Sequence, residues 1–371
     1  MLKPLLLLLL FIPSVCFAQI KISGEIIGAN DKKPIANASV FLSNATIGNK
    51  TADDGTFTLY NVKPGQYDLI VTVLGFETHS QSLSVTNDNI ALGEISISPK
   101  TILLQEVAVR PNLNRQRDLG DFLYYFLGQS NYSRQCTIVN PEVVDVEYNK
   151  STKVLTASTD DFLIIENKAL GYKIRYKLLN FTYDAQRSLY FEGVSLFESL
   201  NGNAAEQNKW KRNRLDAYAG SPMHFLRAAI AGRLDEDGFK TLRLERSTAP
   251  DYLQKKGIKY IQTLYMKEPL SRNDFVNLAD KPGIFAMGFK DYLYVIYTKK
   301  RISYNPGGVY RPAGIAPDQP VTIIRFDEPY AFFDNNGIII NPHSVTYEGD
   351  FGIKGISDLL PIDYAPEADI N

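Results

Sequence analysis

The sequence is poor in the side chains that bind metals and form disulfides. Its 371 residues include only two cysteines and three histidines. His79, His224 and His343 stand apart from one another, and none belongs to the His-Glu-x-x-His pattern that binds zinc on a helix. P-loops, dinucleotide-binding glycine fingerprints and Gly-x-Ser-x-Gly elbows are also missing from the sequence. We therefore predict no metal site and no cofactor.

An excess of charge of either sign is missing as well. Forty Lys and Arg residues face 41 Asp and Glu residues, which gives a formal net charge of −1. Charged residues make up 22% of the chain and hydrophobic residues 44%. This balance excludes a highly charged disordered chain and a nucleic-acid binder built on a basic surface. We expect a folded protein with no nucleic acid among its partners.

Long apolar runs are confined to the start of the chain. Lys3 precedes an unbroken apolar run over residues 5–12 that ends at Pro13, and Cys16 and Ala18 are small residues three and one before a possible cut. After Gln19 no segment approaches the ~18 consecutive apolar residues of a transmembrane helix. The pattern predicts a signal peptide over residues 1–18, cut after Ala18. We therefore expect an exported protein, located in the periplasm or associated with the outer membrane, without a transmembrane helix.

The two cysteines bear on this expectation. Lipidation at Cys16 is an alternative to simple cleavage, but Val15 is bulkier than the small residue that such processing prefers. Cleavage after Ala18 leaves Cys136 as the only cysteine, so no internal disulfide is expected even in an oxidising compartment.

Short strands and turns fill residues 19–109. Asp54-Gly55 is a hairpin signal, and residues 63–66 fit a type II turn with Gly65 at the position that needs a positive φ. Strand patterns occur at residues 22–27, 39–42, 56–59, 67–74, 78–85, 90–97 and 102–109. About seven short strands predict an all-β Greek-key sandwich of prealbumin-like or Ig-like type.

Four motifs in this region resemble those of carboxypeptidase regulatory-like domains. Residues 23–26 and 33–40 are similar to their opening G-x-V … P-L-x-G-A-x-V, and residues 51–57 to their T-d-x-D-G-x-F hairpin. Residues 62–67 and 74–76 resemble their l-x-P-G-x-Y and x-G-F/Y segments. The resemblance implies a prealbumin-like sandwich that is appended to peptidases, glycan-handling proteins and TonB-dependent transporters. In that family the module is not the catalytic part, and this chain lacks the His-x-x-Glu zinc motif of the carboxypeptidases.

Residues 110–371 have a different pattern. Apolar residues at helical spacing over 119–127 predict a helix that ends at Gly128. Helices are also predicted over 204–218 and 222–232, among many strand patterns. We predict a predominantly antiparallel α+β domain. Its length is compatible with a subdivision near Ser271.

A second resemblance extends over nearly the whole chain. The segments that carry it are residues 126–128, 136–141, 165–172, 218–227 and 359–364. With the N-terminal motifs, they make the chain similar to exported carboxypeptidase-like regulatory domain-containing proteins of Gram-negative envelopes. That resemblance implies a location and an architecture, and no activity.

The strongest candidate binding segment is Tyr218–Arg227. Ser221 is a natural N-cap and Pro222 a natural first helical residue, which would leave His224 and Arg227 three residues apart on one helix face. A His–Arg pair beside a helix N-terminus can hold a carboxylate or a phosphate. The structural alternative is that Ser221 only caps the helix, His224 satisfies a carbonyl and Arg227 pairs with an acid. We favour that alternative, so this binding site is a hypothesis.

Three further candidates have ordinary structural explanations. Trp210, among basic residues of a polar helix, suits a sugar or partner contact, but also a helix residue that packs its ring. Cys136 fits an inert buried thiol better than a nucleophile paired with a histidine. Acid pairs such as Asp160-Asp161 and Asp327-Glu328 would suit a glycosidase only if the fold brought two acids together. We predict no catalytic residue from the sequence.

Two functions remain. The first is a non-catalytic envelope protein, whose sandwich is a docking, spacer or carbohydrate-binding-like module and whose α+β domain binds a partner protein or a glycan. The second is a hydrolase acting on glycan or peptide, with its site in the α+β domain. A cavity holding two facing acids would favour the hydrolase, and a flat apolar patch would favour the binding protein.

Overall fold

The computed structural model describes residues 20–100, 114–185, 188–303 and 308–366. The predicted signal peptide and the strand predicted at residues 102–109 lie outside these ranges. The described part contains a strand-rich N-terminal region and a larger, mostly antiparallel region with few helices, which confirms the predicted fold class.

Two sheets form the N-terminal sandwich. Its strands are Ile20–Gly28 (β1), Ser39–Leu42 (β2), Gly48–Lys50 (β3), Thr56–Val62 (β4), Gly65–Thr72 (β5), His79–Val85 (β6) and Ile90–Ile97 (β7). One sheet has the order β4-β1-β7, with β1 and β7 parallel, and the other has the order β3-β2-β5-β6. The short strand β3 was not predicted. Apolar side chains of both sheets, among them Ile22, Val40 and Leu69, form the core between them.

The turn before β5 differs from the prediction. Gly65 is the first residue of strand β5 and has no positive φ, and the nearest positive φ belongs to Asn61, inside strand β4. A Cβ atom on Gly65 would come within 2.6 Å of the Asn336 amide nitrogen. The glycine therefore makes room for a distant residue, which local turn chemistry could not indicate.

The second region begins with a helix over a six-stranded sheet. Its elements are the helix Arg115–Leu127 (α1) and the strands Cys136–Ile138 (β8), Val144–Asn149 (β9), Val154–Thr159 (β10), Leu163–Asn167 (β11), Tyr172–Tyr183 (β12) and Leu189–Ser199 (β13). The helix ends at Gly128, as predicted. The long strand β12 pairs with β13 on one side and with β10 and β11 on the other. Phe122 and Phe126 of α1 pack on this sheet, with Phe122 edge-on to Phe181.

Short helices lead to the last sheets. The helices are Ala204–Tyr218 (α2), Pro222–Ala231 (α3), Leu234–Asp237 (α4) and Asp251–Gln254 (α5), and single 3₁₀ turns are Ser133–Gln135, Pro141–Val143, Arg272–Asp274, Pro342–Ser344 and Ile356–Asp358. The remaining strands are Phe239–Thr248 (β14), Tyr260–Pro269 (β15), Val276–Leu278 (β16), Ile284–Met287 (β17), Tyr292–Tyr297 (β18), Val321–Phe326 (β19), Ala331–Asp334 (β20) and Val345–Gly349 (β21).

These strands form two further sheets, of order β15-β14-β18-β19-β21 and β16-β17-β20. The five-stranded sheet takes strands from both sides of Ser271, the position near which the sequence allowed a subdivision. The boundary between two hydrophobic cores lies at helices α2 and α3. Tyr218 and Met223 belong to the core of the six-stranded sheet, whereas Phe225 belongs to the core of the last sheets.

Candidate functional site

The segment singled out in the sequence lies where the two regions meet. The hydroxyl of Ser221 accepts a hydrogen bond from the backbone N–H of His224 at 3.1 Å, and Pro222 is the first residue of α3, so the predicted cap is confirmed. Gly220, with φ of 75°, forms the turn from α2 into α3. Its missing side chain leaves space for the ring of Tyr297, which a Cβ atom would approach to 2.6 Å.

His224 is enclosed by aromatic rings. Its ring centroid lies 4.7 Å from that of Tyr218 and 4.9 Å from that of Phe239. Its Nδ1 accepts a hydrogen bond from the Gly220 N–H at 3.1 Å, and its Nε2 lies 3.7 Å from a carboxylate oxygen of Asp237. Burial lowers the pKa of His224 to about 4, although Asp237 acts in the opposite direction. At neutral pH the imidazole is therefore uncharged and unsuited to attracting an anion.

Arg227 binds three backbone carbonyls. Its Nε donates to the Asn336 oxygen at 2.8 Å, its Nη1 to the Tyr364 oxygen at 2.7 Å and its Nη2 to the Ile362 oxygen at 2.8 Å. The guanidinium also lies 5.7 Å from the ring centroid of Tyr218. All three nitrogens are thus engaged, and the partners are carbonyls rather than the acid that the structural alternative had expected.

A buried turn presents one of these carbonyls. The Asp334 carboxylate accepts hydrogen bonds from the backbone N–H groups of Asn336 and Ile338, each at 3.0 Å, and from the Asn336 side chain. Burial raises the pKa of Asp334, while those hydrogen bonds act against the rise. Gly337, with φ of 75°, lets the turn approach α3, because a Cβ atom there would lie 2.8 Å from the Met223 oxygen. The turn is therefore built to meet Arg227.

The other two carbonyls belong to the C-terminal segment, residues 359–366. Ile362 packs into the sandwich core, and its N–H donates to the Asn44 oxygen at 2.7 Å. The Asp363 carboxylate accepts a hydrogen bond from the Thr46 N–H at 2.9 Å. The backbone carbonyl oxygen of Asp363 accepts one from Lys63 Nζ at 3.0 Å. The C-terminal segment therefore lies between α3 and the sandwich and touches both.

The sandwich also contacts strand β13 directly. The Asn44 N–H donates to the Ser195 oxygen at 2.7 Å, and the Phe197 N–H donates to the Ala45 oxygen at 3.0 Å. A small apolar cluster completes the contact with Phe41 and Ile70 from the sandwich and Leu196, Val194 and Phe162 from the other side. We name these contacts, together with Arg227 and the C-terminal segment, the junction.

Trp210 is part of the fold rather than of an exposed surface. Its side chain is 7% exposed, and its Nε1 donates to the Lys168 oxygen at 3.0 Å. Its ring lies against Gly171 and Gly202, where Cβ atoms would approach it to 2.2 and 2.4 Å. This packing favours the structural role that the sequence also allowed for Trp210, because the indole ring lies inside the fold.

Cys136 is buried and forms no disulfide. Burial raises the pKa of its thiol to about 12, and the nearby charge of Asp358 adds to the rise. Because the thiolate is the nucleophilic form, this thiol is inert at neutral pH, as the sequence indicated. The acid pairs Asp160-Asp161 and Asp327-Glu328 are exposed.

A polar cavity that the sequence did not reveal lies between Tyr132, Asp216, Lys300, Lys354 and Asp358, with a volume of about 200 Å³. Tyr132 donates to one oxygen of Asp216 at 2.5 Å, and Lys300 Nζ lies 2.8 Å from the other. Burial raises the pKa of Asp358, although Lys354 and the hydroxyl of Ser357 oppose the rise. These residues come from distant parts of the sequence and form no local motif, so no pattern could have found them.

Among the residues that the structure describes, no group of three His, Cys, Asp or Glu side chains is placed to hold a metal ion. None of the helices in the same part of the chain combines the length and the apolar character needed to cross a membrane.

Comparison with known proteins bears on the N-terminal sandwich. Residues 22–109 match the model of the family described as the CarboxypepD_reg-like domain. This match confirms the resemblance drawn from the four motifs and covers the sandwich alone. No curated protein matches the chain.

Several solved structures are weakly similar. A type II cohesin–X-dockerin complex from Acetivibrio cellulolyticus shares 21% identity over 21% of this chain and 56% of that chain, with a TM-score of 0.20. A DUF3823 family protein from Bacteroides ovatus shares 11% identity over 50% of this chain and 83% of that chain, with a TM-score of 0.19. A protein of unknown function from Bacteroides fragilis shares 9% identity over 89% of this chain and 93% of that chain, with a TM-score of 0.18. The chain spans about half the length of the first structure, and TM-scores this low support no argument.

Proposed function

We propose that this protein is an exported, non-catalytic protein of the cell envelope. In this proposal the CarboxypepD_reg-like sandwich is a docking or spacer module, and the α+β region binds a partner protein or a glycan. One observation carries the proposal. Arg227, which the sequence offered for ligand binding, instead donates to the carbonyls of Ile362 and Tyr364 and so holds the C-terminal segment in the junction.

The junction suits a spacer because it fixes the sandwich in one orientation. Three kinds of contact hold the sandwich in place. They are the backbone hydrogen bonds of Asn44 and Phe197, the apolar cluster around Leu196, and the packing of Ile362 in the sandwich core. A module held by several such contacts presents its outer surface at a fixed place, which lowers the entropic cost of binding a partner there.

Export is the second part of the proposal. The apolar run over residues 5–12 and the small residues before the predicted cut support a signal peptide removed after Ala18. The mature chain would then lie in the periplasm or on the outer membrane. Mass spectrometry of the protein from fractionated cells should find a chain that begins at Gln19. A chain that retains Met1, or one that begins with lipidated Cys16, would contradict the proposed processing.

A site-specific crosslinking experiment tests the docking role. A photo-reactive amino acid replaces Leu74, which is 98% exposed on the sandwich, or Leu278, which is 76% exposed on the α+β region. After illumination of intact cells, we expect at least one position to give a discrete adduct that added unlabelled protein suppresses. The matched control carries the same amino acid at Trp210, which is buried. If both exposed positions gave only the pattern of the control, the docking role would be refuted.

A specific observation favours hydrolysis as a second candidate function. Asp216 and Asp358 line the same cavity, and their environments differ, because Lys300 pairs with Asp216 while burial raises the pKa of Asp358. Two carboxyl groups in such unlike environments resemble the acid and base of a glycosidase. The cavity of about 200 Å³ is smaller than the 300–1,000 Å³ typical of ligand pockets, so we rank this function second.

Glycan hydrolysis can be tested directly. Purified protein is incubated with peptidoglycan fragments, and newly formed reducing ends are measured. If the cavity is catalytic, Asp216→Asn and Asp358→Asn should each abolish the release, while Asp235→Asn, at an exposed acid outside the cavity, should not. Equal release by all variants would remove the cavity from consideration.

A further inference from the structure

The hairpin of β14 and β15 ends in an exposed tip. Strand β15 is the edge of the five-stranded sheet, and among the described strands it pairs only with β14. Residues 249–259 connect the two strands and include the single-turn helix α5. We name residues 251–261 the hairpin tip. None of its residues is buried.

Apolar side chains are concentrated on this tip. Tyr252, Ile258, Tyr260 and Ile261 are each between 45% and 63% exposed. Tyr260 pairs with Thr248 across the hairpin and Ile261 with Ser247. Because neighbouring residues of a strand point to opposite faces, Tyr260 and Ile261 extend the apolar surface to both faces of the hairpin.

Three lysines accompany these apolar residues. Lys255, Lys256 and Lys259 are exposed, and none forms an ion pair with any described residue. Asp251 is the single acid of the tip, so three lysines against one aspartate leave a local net charge of +2. The whole chain has a formal net charge of −1, so the positive charge is a local property of this tip.

We propose that the hairpin tip binds the surface of a bilayer that contains anionic phospholipid. Lysine side chains close to an anionic bilayer gain electrostatic free energy, while tyrosine and isoleucine side chains enter the boundary between headgroups and acyl chains. The tip thus combines the two attractions that peripheral membrane binding requires.

The geometry favours a bilayer over a second copy of this chain. Edge-to-edge strand pairing would use the backbone of β15 and would leave the apolar residues of the loop outside the contact. A flat protein surface would cover one face of the hairpin and leave either Tyr260 or Ile261 in water. A bilayer surrounds an inserted tip from all sides, which matches apolar side chains on both faces.

This inference concerns a surface apart from the junction, and it rests on the proposed envelope location only for its biological setting. Purified protein is enough to test it. If vesicle binding failed while the crosslinking experiment gave a partner, the bilayer proposal would fall and the docking role would stand. If vesicle binding succeeded while the crosslinking experiment gave no partner, the docking role would fall and the bilayer proposal would stand.

The test uses the chain that begins at Gln19, which contains every residue that the structure describes and lacks the apolar run of residues 5–12. Its sedimentation is measured with vesicles of phosphatidylcholine alone and of phosphatidylcholine mixed with phosphatidylglycerol. We expect binding to the mixed vesicles that weakens as salt is added. Changing Lys255, Lys256 and Lys259 to glutamate should weaken it more than about tenfold.

Matched controls separate this site from general attraction. The variant Lys150→Glu/Lys281→Glu/Lys290→Glu makes the same change in net charge at exposed lysines elsewhere, and it should bind like the parent chain. Tyr252→Ser with Ile258→Ser should weaken binding, whereas Leu74→Ser with Leu278→Ser should not. Parent protein that fails to sediment, or tip variants that sediment like their controls, would overturn the proposal. So would a dimer that only the tip variants disrupt, in the absence of vesicle binding.

Discussion

Arg227 shows how one side chain can connect three segments of a chain. Its planar guanidinium is always protonated and presents donors in fixed directions. Here those donors reach the turn at Asn336 and the C-terminal segment at Ile362 and Tyr364. Lysine has one nitrogen in place of three, so it cannot reach all three carbonyl groups at once.

We expect Arg227→Ala to lower the free energy of unfolding by about 3 kcal/mol, because hydrogen bonds to charged groups contribute about 1.5–3 kcal/mol each and part of that is regained from water. Urea denaturation measures the change. Arg227→Lys should recover only a fraction of it. The control is Arg233→Ala, at a mostly exposed residue that pairs with Asp237 and should cost less than about 1 kcal/mol. Equal effects of the alanine variants at 227 and 233 would contradict the assigned role.

His224 should make the fold sensitive to acid. Burial holds the pKa of His224 near 4 in the folded chain, against an ordinary value of 6.5. Between pH 4 and pH 6.5, His224 binds a proton more readily in the unfolded chain than in the folded chain. The stability that neutral His224 contributes is therefore fully present above pH 6.5. It is lost as the pH falls toward 4, and the loss totals roughly 3 kcal/mol.

The test is to compare unfolding free energies at pH 7 and pH 4.5 in the parent and in His224→Asn. Asparagine can still accept the hydrogen bond from Gly220 but does not titrate in this range. We expect the difference between parent and variant to shrink or reverse at the lower pH. A difference that stayed constant between the two pH values would show that His224 does not titrate as described.

At the scale of elements, helix α3 positions both His224 and Arg227. Its start is fixed by the Ser221 cap and by Pro222, and its end by Gly232, whose φ is 68°. The apolar side of the helix, with Phe225 and Leu226, is buried against the last sheets. The helix therefore holds Arg227 toward the C-terminal segment.

We expect Ser221→Ala to cost about 1 kcal/mol of folding free energy, because the N–H of His224 loses its acceptor. Thermal or urea unfolding measures this cost. Ser221→Gly is the control, since glycine at an N-cap costs only a few tenths of a kcal/mol relative to serine. If the alanine variant were as stable as the parent chain, the hydroxyl would contribute nothing as a cap.

At the scale of the whole molecule, the junction buries apolar surface of both the sandwich and the α+β region. The sandwich core is built almost entirely from its own residues, with Ile362 inserted from the chain end. Phe41 and Ile70, by contrast, are buried only where the sandwich meets Leu196 and its neighbours. Separating the two regions would expose apolar surface on each of them.

We expect residues 19–109 to fold alone, without metal, because the core lies within the sandwich. An NMR spectrum of the isolated segment should show dispersed signals that a chelator does not change. The segment should also bind a hydrophobic dye through Phe41 and Ile70, and Phe41→Ser should reduce that binding. A disordered segment, or one that folded only on addition of metal, would contradict this expectation.

Features that depend on neighbouring residues could be predicted from the sequence. Strand alternation and turn motifs predicted the sandwich, helical spacing with Gly128 predicted α1, and Ser221-Pro222 predicted the start of α3. Each of these follows from interactions over a few residues, where side-chain size, backbone freedom and capping act directly on the local chain.

The roles of the candidate residues, by contrast, follow from contacts between distant parts of the chain. The three carbonyl partners of Arg227 lie 109, 137 and 135 residues away along the chain. Gly65 makes room for Asn336, Trp210 fills the space over Gly171, and the cavity brings Tyr132 to Asp216. No local pattern contains such partners, because packing selects them only after distant segments have met. The sequence offered Arg227 as an anion-binding residue, and in the fold its guanidinium holds the C-terminal segment.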